Sequence, residues 1–483
     1  MNRITQKTFN RNLLNLAILA ALVGASGNVM ADNSTVTVNV SGNNQTLNID
    51  QSGGGSDQAT VTQSSGNGNA EAISQQNSTN NQANIQQGIN GGTANDSVAD
   101  IEQQNSNSNN AAVTQGNGYN SQSNTNSATI YQQNSEHNTA IINQANDYYG
   151  VTSNSRATID QQYSNNNTAT VNQGGNWYNT DSSNASIKQE SSHNNTATIN
   201  QGSNGSPSAD NAANIDQSGG TYNTATATQN FTGQKVTVTQ GGNNNTSNSD
   251  QEGTGNTAFV NQPGQNNNST LNQAGSYNTA NVSQAGFNST AATTQNGDNS
   301  SSAITQYSNN EAATVTQNVG GSGNQATVTQ GGHNISSNVN IASITQSGTN
   351  SSANVSQDDA NYAGYTNSTA TVTQNLGNNN QASIAQGAQA SGYANAATIT
   401  QTSDDNTAGI TQNGQYNNAT ITQNSFSGNT SVNTATIEEY GNNNTASINQ
   451  NGAGNWADVV QASNGNTANI TQNGSNNTFT IHQ

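Results

Sequence analysis

Between Gln229 and Gln317 a glutamine returns at every eleventh position: Gln229, Gln240, Gln251, Gln262, Gln273, Gln284, Gln295, Gln306 and Gln317. A short fixed period of this kind means that one small backbone unit is copied and stacked, because only then does the same place demand the same side chain each time. Such a chain is a quasi-one-dimensional array, and estimating domains from its length has no meaning.

The unit extends beyond the glutamine. Its fullest form is Asn-x-Ala-x-Ile/Val-x-Gln, seen at Asn195, Ala197, Ile199 and Gln201, at Asn417, Ala419, Ile421 and Gln423, and at Asn466, Ala468, Ile470 and Gln472. These four side chains are two residues apart, so an extended chain points all of them to one face. The period therefore predicts a strand with an inward ladder of Asn, Ala, Ile or Val, and Gln. Glycine often stands two places after the glutamine, at Gly253, Gly264, Gly275, Gly286, Gly297, Gly414 and Gly474. Glycine tolerates positive φ and asparagine comes next, so these segments read as tight turns. Each unit is a strand plus a turn.

Without the repeat, the composition would suggest disorder: 28% hydrophobic residues, 5% aromatic and 47 glycines in 483 residues. Order depends on where the few aliphatics fall. The start of the chain differs: Arg3, Lys7 and Arg11 precede an apolar run from Leu13 to Ala25, and Val29-Met30-Ala31 ends in small residues. This predicts a secretory signal peptide over residues 1–31, cut before Asp32. The run is shorter than the roughly 20 residues that span a bilayer, so no membrane insertion of the mature chain is expected. After cleavage Arg156, Lys188 and Lys235 face 25 acidic residues, a net charge of −22. That balance argues against nucleic-acid binding. With no cysteine, backbone pairing and packing must hold the fold.

Followed by phase from Val40 to Gln483, the chain gives about 36 strand units of 11–12 residues. These make about 18 windings of an all-β, cross-β solenoid if two strands complete a turn. Longer gaps after Gln87, Gln115, Gln144, Gln173 and Gln201 are each assigned to an even-numbered strand, so in a two-strand winding their loops should emerge from one edge. Those after Gln330, Gln357 and Gln386 are assigned to odd-numbered strands, which means either that the loops change edge or that one unit is miscounted. The poorest units lie in the middle: Asn223 to Gln229 has Ala227, and Asn245 to Gln251 has Ser249, where an aliphatic belongs. Glu439 and Val40 each stand in the place of a glutamine.

Two aliphatics per winding contribute about 3–6 kcal/mol, whereas ordering each residue costs about 1–2 kcal/mol. A lone winding cannot fold. Stacked in register, each winding satisfies the next, and Asn and Gln amides should form continuous ladders. Unpaired strand edges recruit further strands. The repeat runs from about Ser34 to Gln483 with no proline or charged block at either end, so both ends are expected to stack.

The extended pattern Gln-x-Gly-x-x-Asn-x-Ala-x-Ile/Val-x-Gln, as in Gln412, Gly414, Asn417, Ala419, Ile421 and Gln423, resembles the curlin repeat of bacterial curli subunits. The resemblance covers nearly all of the expected mature chain. It implies a secreted functional amyloid, exported unfolded through an outer-membrane secretion channel. It also implies assembly with itself and a nucleator subunit into cell-surface fibres that support biofilm, adhesion and cell aggregation. Two departures are the larger number of repeats and the lack of a distinct segment between the signal peptide and the first repeat.

Other chemistry is thinly represented. His137, His193, His333 and His482 are scattered, so neither a metal site nor a cofactor site is expected. Asp358-Asp359 and Asp404-Asp405 read as exposed loop acids, and with no nucleophile and base in company no catalysis is expected. Outward threonines such as Thr369, Thr371 and Thr373 raise an alternative, a monomeric ice-binding solenoid or an adhesin stalk. Asp100, Glu102, Lys188, Asp216 and Glu438 interrupt any such surface, and β-propensity alone explains threonine there. Trp177, Tyr178 and Trp456 fall on different turns and offer no aligned platform.

Overall fold

The computed structural model describes residues 33–117, 119–145, 151–174, 179–202, 208–331, 339–358, 367–387, 394–424 and 432–483. The expected signal segment lies outside them, as do Trp177, Tyr178, His333 and Asp359. Every regular element among the described residues is a β-strand. The chain divides into two compact units, Met1–Asn244 and Asn245–Gln483.

Among the described residues the first unit has eight windings, from Thr35–Val40 with Thr46–Ser52 to Thr224–Gln229 with Lys235–Thr239. The second has ten, from Thr246–Gln251 with Thr257–Asn261 to Thr467–Asn473 with Thr478–His482. Within each unit, first strands pair with first strands and second with second, always parallel. A typical register is Thr168↔Thr196, Ala169↔Ala197, Val171↔Ile199 and Gln173↔Gln201. The same residue type thus recurs along a column parallel to the winding axis, and this one-rung spacing is what the sequence period encodes. The core is the strip of inward Ala and Ile or Val side chains between the two sheets; Ile73, Ile101, Ile130, Ile187, Ile199 and Ile344 are all fully buried.

The first unit differs from the two-strand winding expected of it. Its last six windings carry a third short strand: Thr93–Asn95, Gln122–Asn124, Val151–Ser153, Asn179–Asp181, Ser208–Ala209 and Phe231–Thr232. These form a separate parallel six-stranded sheet. The long gaps after Gln87, Gln115, Gln144, Gln173 and Gln201 are therefore third walls of the winding. Their inward residues, Ala94, Ser123, Thr152, Thr180 and Ser208, are small and buried, which leaves no common side chain to reveal a period. In the second unit, strands Gln325–Gln330 and Ile341–Gln346 alternate between sheets without a skip, as do those on either side of Gln357 and Gln386. The longer connections there follow second strands, and those after Gln87 to Gln201 follow first strands, so the expected parity is reversed in both stretches.

Candidate functional site: the internal amide columns and the end strands

An inward glutamine can use both hydrogens of its amide. In the second unit Gln273 Nε2 donates to Gln295 Oε1 at 2.8 Å and to the Thr257 carbonyl of the opposite sheet at 3.0 Å. Gln251, Gln295, Gln317, Gln412 and Gln423 each donate to the next rung, as do Gln262, Gln284 and Gln306. In the first unit Gln201 donates to Gln229, and Gln240 accepts from Gln217. Gln472 accepts from Gln450 and donates to the Trp456 and Asn477 carbonyls. One glutamine therefore ties rung to rung and sheet to sheet, which satisfies a polar group that would be costly to bury unpaired.

Asparagine works differently from the side-chain ladder expected of it. Asn195 Oδ1 accepts the Asn223 backbone N–H at 2.8 Å, while its Nδ2 donates to the Gly220 carbonyl at 3.2 Å. Asn417 repeats this with the Asn444 N–H and the Gly441 carbonyl. Asn466 is half-buried and bonds Ser463 instead. The amide thus staples one turn to the backbone of the next. Ala197, Ile199, Ala419, Ile421, Ala468 and Ile470 are all buried, at the inward positions their spacing indicates.

The turn glycines need another explanation than positive φ. Gly253, Gly414 and Gly474 do have positive φ, of 99°, 156° and 101°, but Gly264, Gly275, Gly286 and Gly297 do not. The left-handed residue lies two places on, at Asn266, Tyr277, Asn288 and Asn299. What excludes a side chain at these four is the next turn: a Cβ on Gly275 would sit 2.0 Å from the Gly297 carbonyl oxygen, and one on Gly264 1.9 Å from that of Gly286. Gly275→Ala is expected to lower stability by about 1–3 kcal/mol, because backbone must move to admit the methyl group. Gly241, with ordinary φ and nothing within 4 Å of its Cβ direction, is the control: Gly241→Ala should be neutral or raise stability by up to about 1 kcal/mol. Guanidinium unfolding of both variants checks the pair.

Among the described residues four acidic side chains occupy inward places, of which the glutamine period reveals only Glu439. Asp57 replaces an asparagine, accepting the Asn81 N–H at 2.9 Å and the Ser78 hydroxyl at 2.8 Å, and burial raises its pKa. Glu311 also stands in an asparagine place and accepts the Ser308 N–H. Glu71 takes an alanine place between Leu47 and Ala99. Both its carboxyl oxygens lack partners, and burial pushes it up to about 7. Gln63, which precedes it in the opposite sheet, also has both amide atoms unpartnered, and its register neighbours are Val40 and Gln87. Glu439 ends a strand in a glutamine place, and it is likewise pushed up to about 7 by burial. Reading each unit's four inward places in phase, rather than the glutamine alone, would have found them all.

The outermost strands leave inward-type residues uncovered. Val36 and Val38 of Thr35–Val40 are 47% and 44% exposed, and Phe479 of Thr478–His482 is 55% exposed. The equivalent places in internal windings are buried. Among the described residues no group of three or more His, Cys, Asp or Glu could hold a metal ion. His137 sits in a turn at φ 55°, His193 makes a bridge to Thr221, and His482 lies 3.6 Å from Asp458.

Parallel rungs, in-register columns and paired internal amides define a β-solenoid of the amyloid-like, amide-clamped kind. Two stretches, 253–286 and 441–474, match the family model described as curlin associated repeat, so the chain carries curlin-type repeats there. No curated protein matches the chain significantly.

Proposed function

We propose that the chain is a structural subunit of an extracellular, curli-like fibre, in which the end strands of one folded molecule template those of the next. The exposed Val36, Val38 and Phe479 support this reading most directly, because residues of the buried columns stand open at the outermost windings. A second copy would cover them with the same parallel pairing used inside. The signal segment over residues 1–31 would route the chain out of the cytoplasm. An outer-membrane secretion channel and a nucleator subunit are the partners this role calls for, and biofilm matrix, surface adhesion and cell aggregation are the tasks such a fibre serves. The roles of the inward residues in this scheme are structural.

Purified chain lacking residues 1–31, diluted from denaturant, should show a lag phase, dye-binding fibres, and diffraction spacings of about 4.8 Å and about 10 Å. Preformed fibre should abolish the lag. Val38→Pro removes a backbone donor from an outermost strand, so its fibre-seeded growth should fall to the unseeded background. A soluble monomer at micromolar concentration would overturn the proposal in favour of an adhesin stalk.

One observation favours a second reading. In the second unit Thr294, Thr316, Thr345, Thr373, Thr400 and Thr422 form an unbroken outward column at one-rung spacing. Such a column suits an ice-binding face, and thermal hysteresis without fibres would select it.

A further inference from the structure

Glu439 interrupts a column that otherwise runs on amides. Gln386 donates to Gln412, and Gln412 Nε2 donates to Glu439 Oε2 at 2.8 Å. The next step would need a donor on Glu439 directed at Gln461, its register partner. Glu439 Oε1 and Gln461 Oε1 are both buried and without a partner. Beyond the break the column resumes, with Gln461 Nε2 donating to Gln483 Oε1 at 3.0 Å.

We propose that Glu439 is a pH-sensitive rung: protonated, its O–H takes the place of the missing amide donor and hydrogen-bonds Gln461 Oε1; ionised, the column is cut at that point. A protonated glutamate and a glutamine have nearly the same shape, and each offers a donor as well as an acceptor. Among the described residues, the strands packed against Glu439 provide no compensating charge. Strands Thr407–Asn413, Asn418–Asn424 and Thr445–Asn451 contain no titratable side chain. On Trp456–Gln461 the one acid is Asp458, in register with the outward Thr436 and near His482, and on Glu439's own strand the one neighbour is Glu438, which faces outward and accepts from the Tyr440 hydroxyl. Burial is thus the main cause of the raised proton affinity.

The sign follows from which state holds the proton. Between the ordinary value of 4.5 and about 7, the folded chain binds more protons at Glu439 than the unfolded chain, so stability falls as pH rises through that window. The contribution is complete below about 4.5 and lost above about 7. It belongs to the folded winding and holds whether or not molecules stack end to end.

The test uses the full chain without residues 1–31, folded and carrying carboxyl-13C glutamate. A carboxyl signal that disappears in Glu439→Gln should titrate near pH 7, well apart from the surface glutamates. The guanidinium midpoint of the parent should drop between pH 5 and pH 8, and Glu439→Gln should remove part of that drop. Glu438→Gln, which deletes the same charge from the outward neighbour, should leave the drop unchanged. The proposal is overturned if the Glu439 signal titrates with the surface glutamates, or if the two variants alter the drop equally. If Glu439→Gln does not fold, the parent still decides: at least two carboxyl signals, from Glu71 and Glu439, should titrate near pH 7, and fewer than two would overturn the proposal.

Discussion

Ile199→Ala is expected to lower the stability of the first unit by about 4–5 kcal/mol, the upper part of the range for truncating a buried aliphatic side chain. Ile199 is fully buried and lies in register between Val171 and Ala227. Because Ala227 is already small, no large side chain on that side can lean in to close the space. The loss should appear as a lower guanidinium midpoint and faster amide exchange, concentrated in strands Thr168–Gln173, Thr196–Gln201 and Thr224–Gln229. Thr198→Ala, at the outward place between, should change stability by no more than about 0.5 kcal/mol. Equal effects from the two substitutions would mean that the inward strip does not carry the fold.

The opposite sign is expected at the weakest rung of the second unit. Strand Thr246–Gln251 buries Ser247 and Ser249 where other strands bury alanine and an aliphatic, and neither hydroxyl has a partner. Their register neighbours are Ser269, also unpartnered, and Leu271. Each buried unpaired hydroxyl costs about 1–3 kcal/mol, and a buried valine contributes about 1.5–3 kcal/mol. The double variant Ser247→Ala, Ser249→Val should therefore raise stability by about 2–4 kcal/mol, read as a higher guanidinium midpoint for the second unit. No gain, or a loss, would show that the site is too tight for valine and that the serines are fitted to their space. This strand opens the second unit, which starts at Asn245.

Much of this architecture is legible from spacing because stacking forces identity. Gln240, Gln251 and Gln262 recur because each must meet a like amide one rung on, and Ile421 and Ile470 because each fills the same strip. Period two and period eleven together set strand, turn and inward face. The third sheet of the first unit was illegible for the complementary reason. Ala94, Ser123, Thr152 and Ser208 share only smallness, and a short wall that tolerates several residues leaves no period. The glycines were legible as turn residues, but their cause was not, since the carbonyl of Gly297 approaching Gly275 is a contact between turns. Glu71 escaped notice because alanine columns carry a weaker signature than glutamine columns, although its phase between Asn69 and Ile73 places it inside.

The glutamine columns also have a sense. Within the first unit every step from Gln75 through Gln103, Gln132, Gln161, Gln189 and Gln217 to Gln240 runs from the N–H of the earlier residue to the oxygen of the later one. In the second unit Gln251, Gln273, Gln295, Gln317, Gln346, Gln374 and Gln401 point the same way along the sequence. Amide dipoles aligned head to tail add, and each polarises the next. A unit so built is an electret in miniature. Each further winding adds one more aligned amide to a column, so the moment of a unit grows with the number of windings stacked in it.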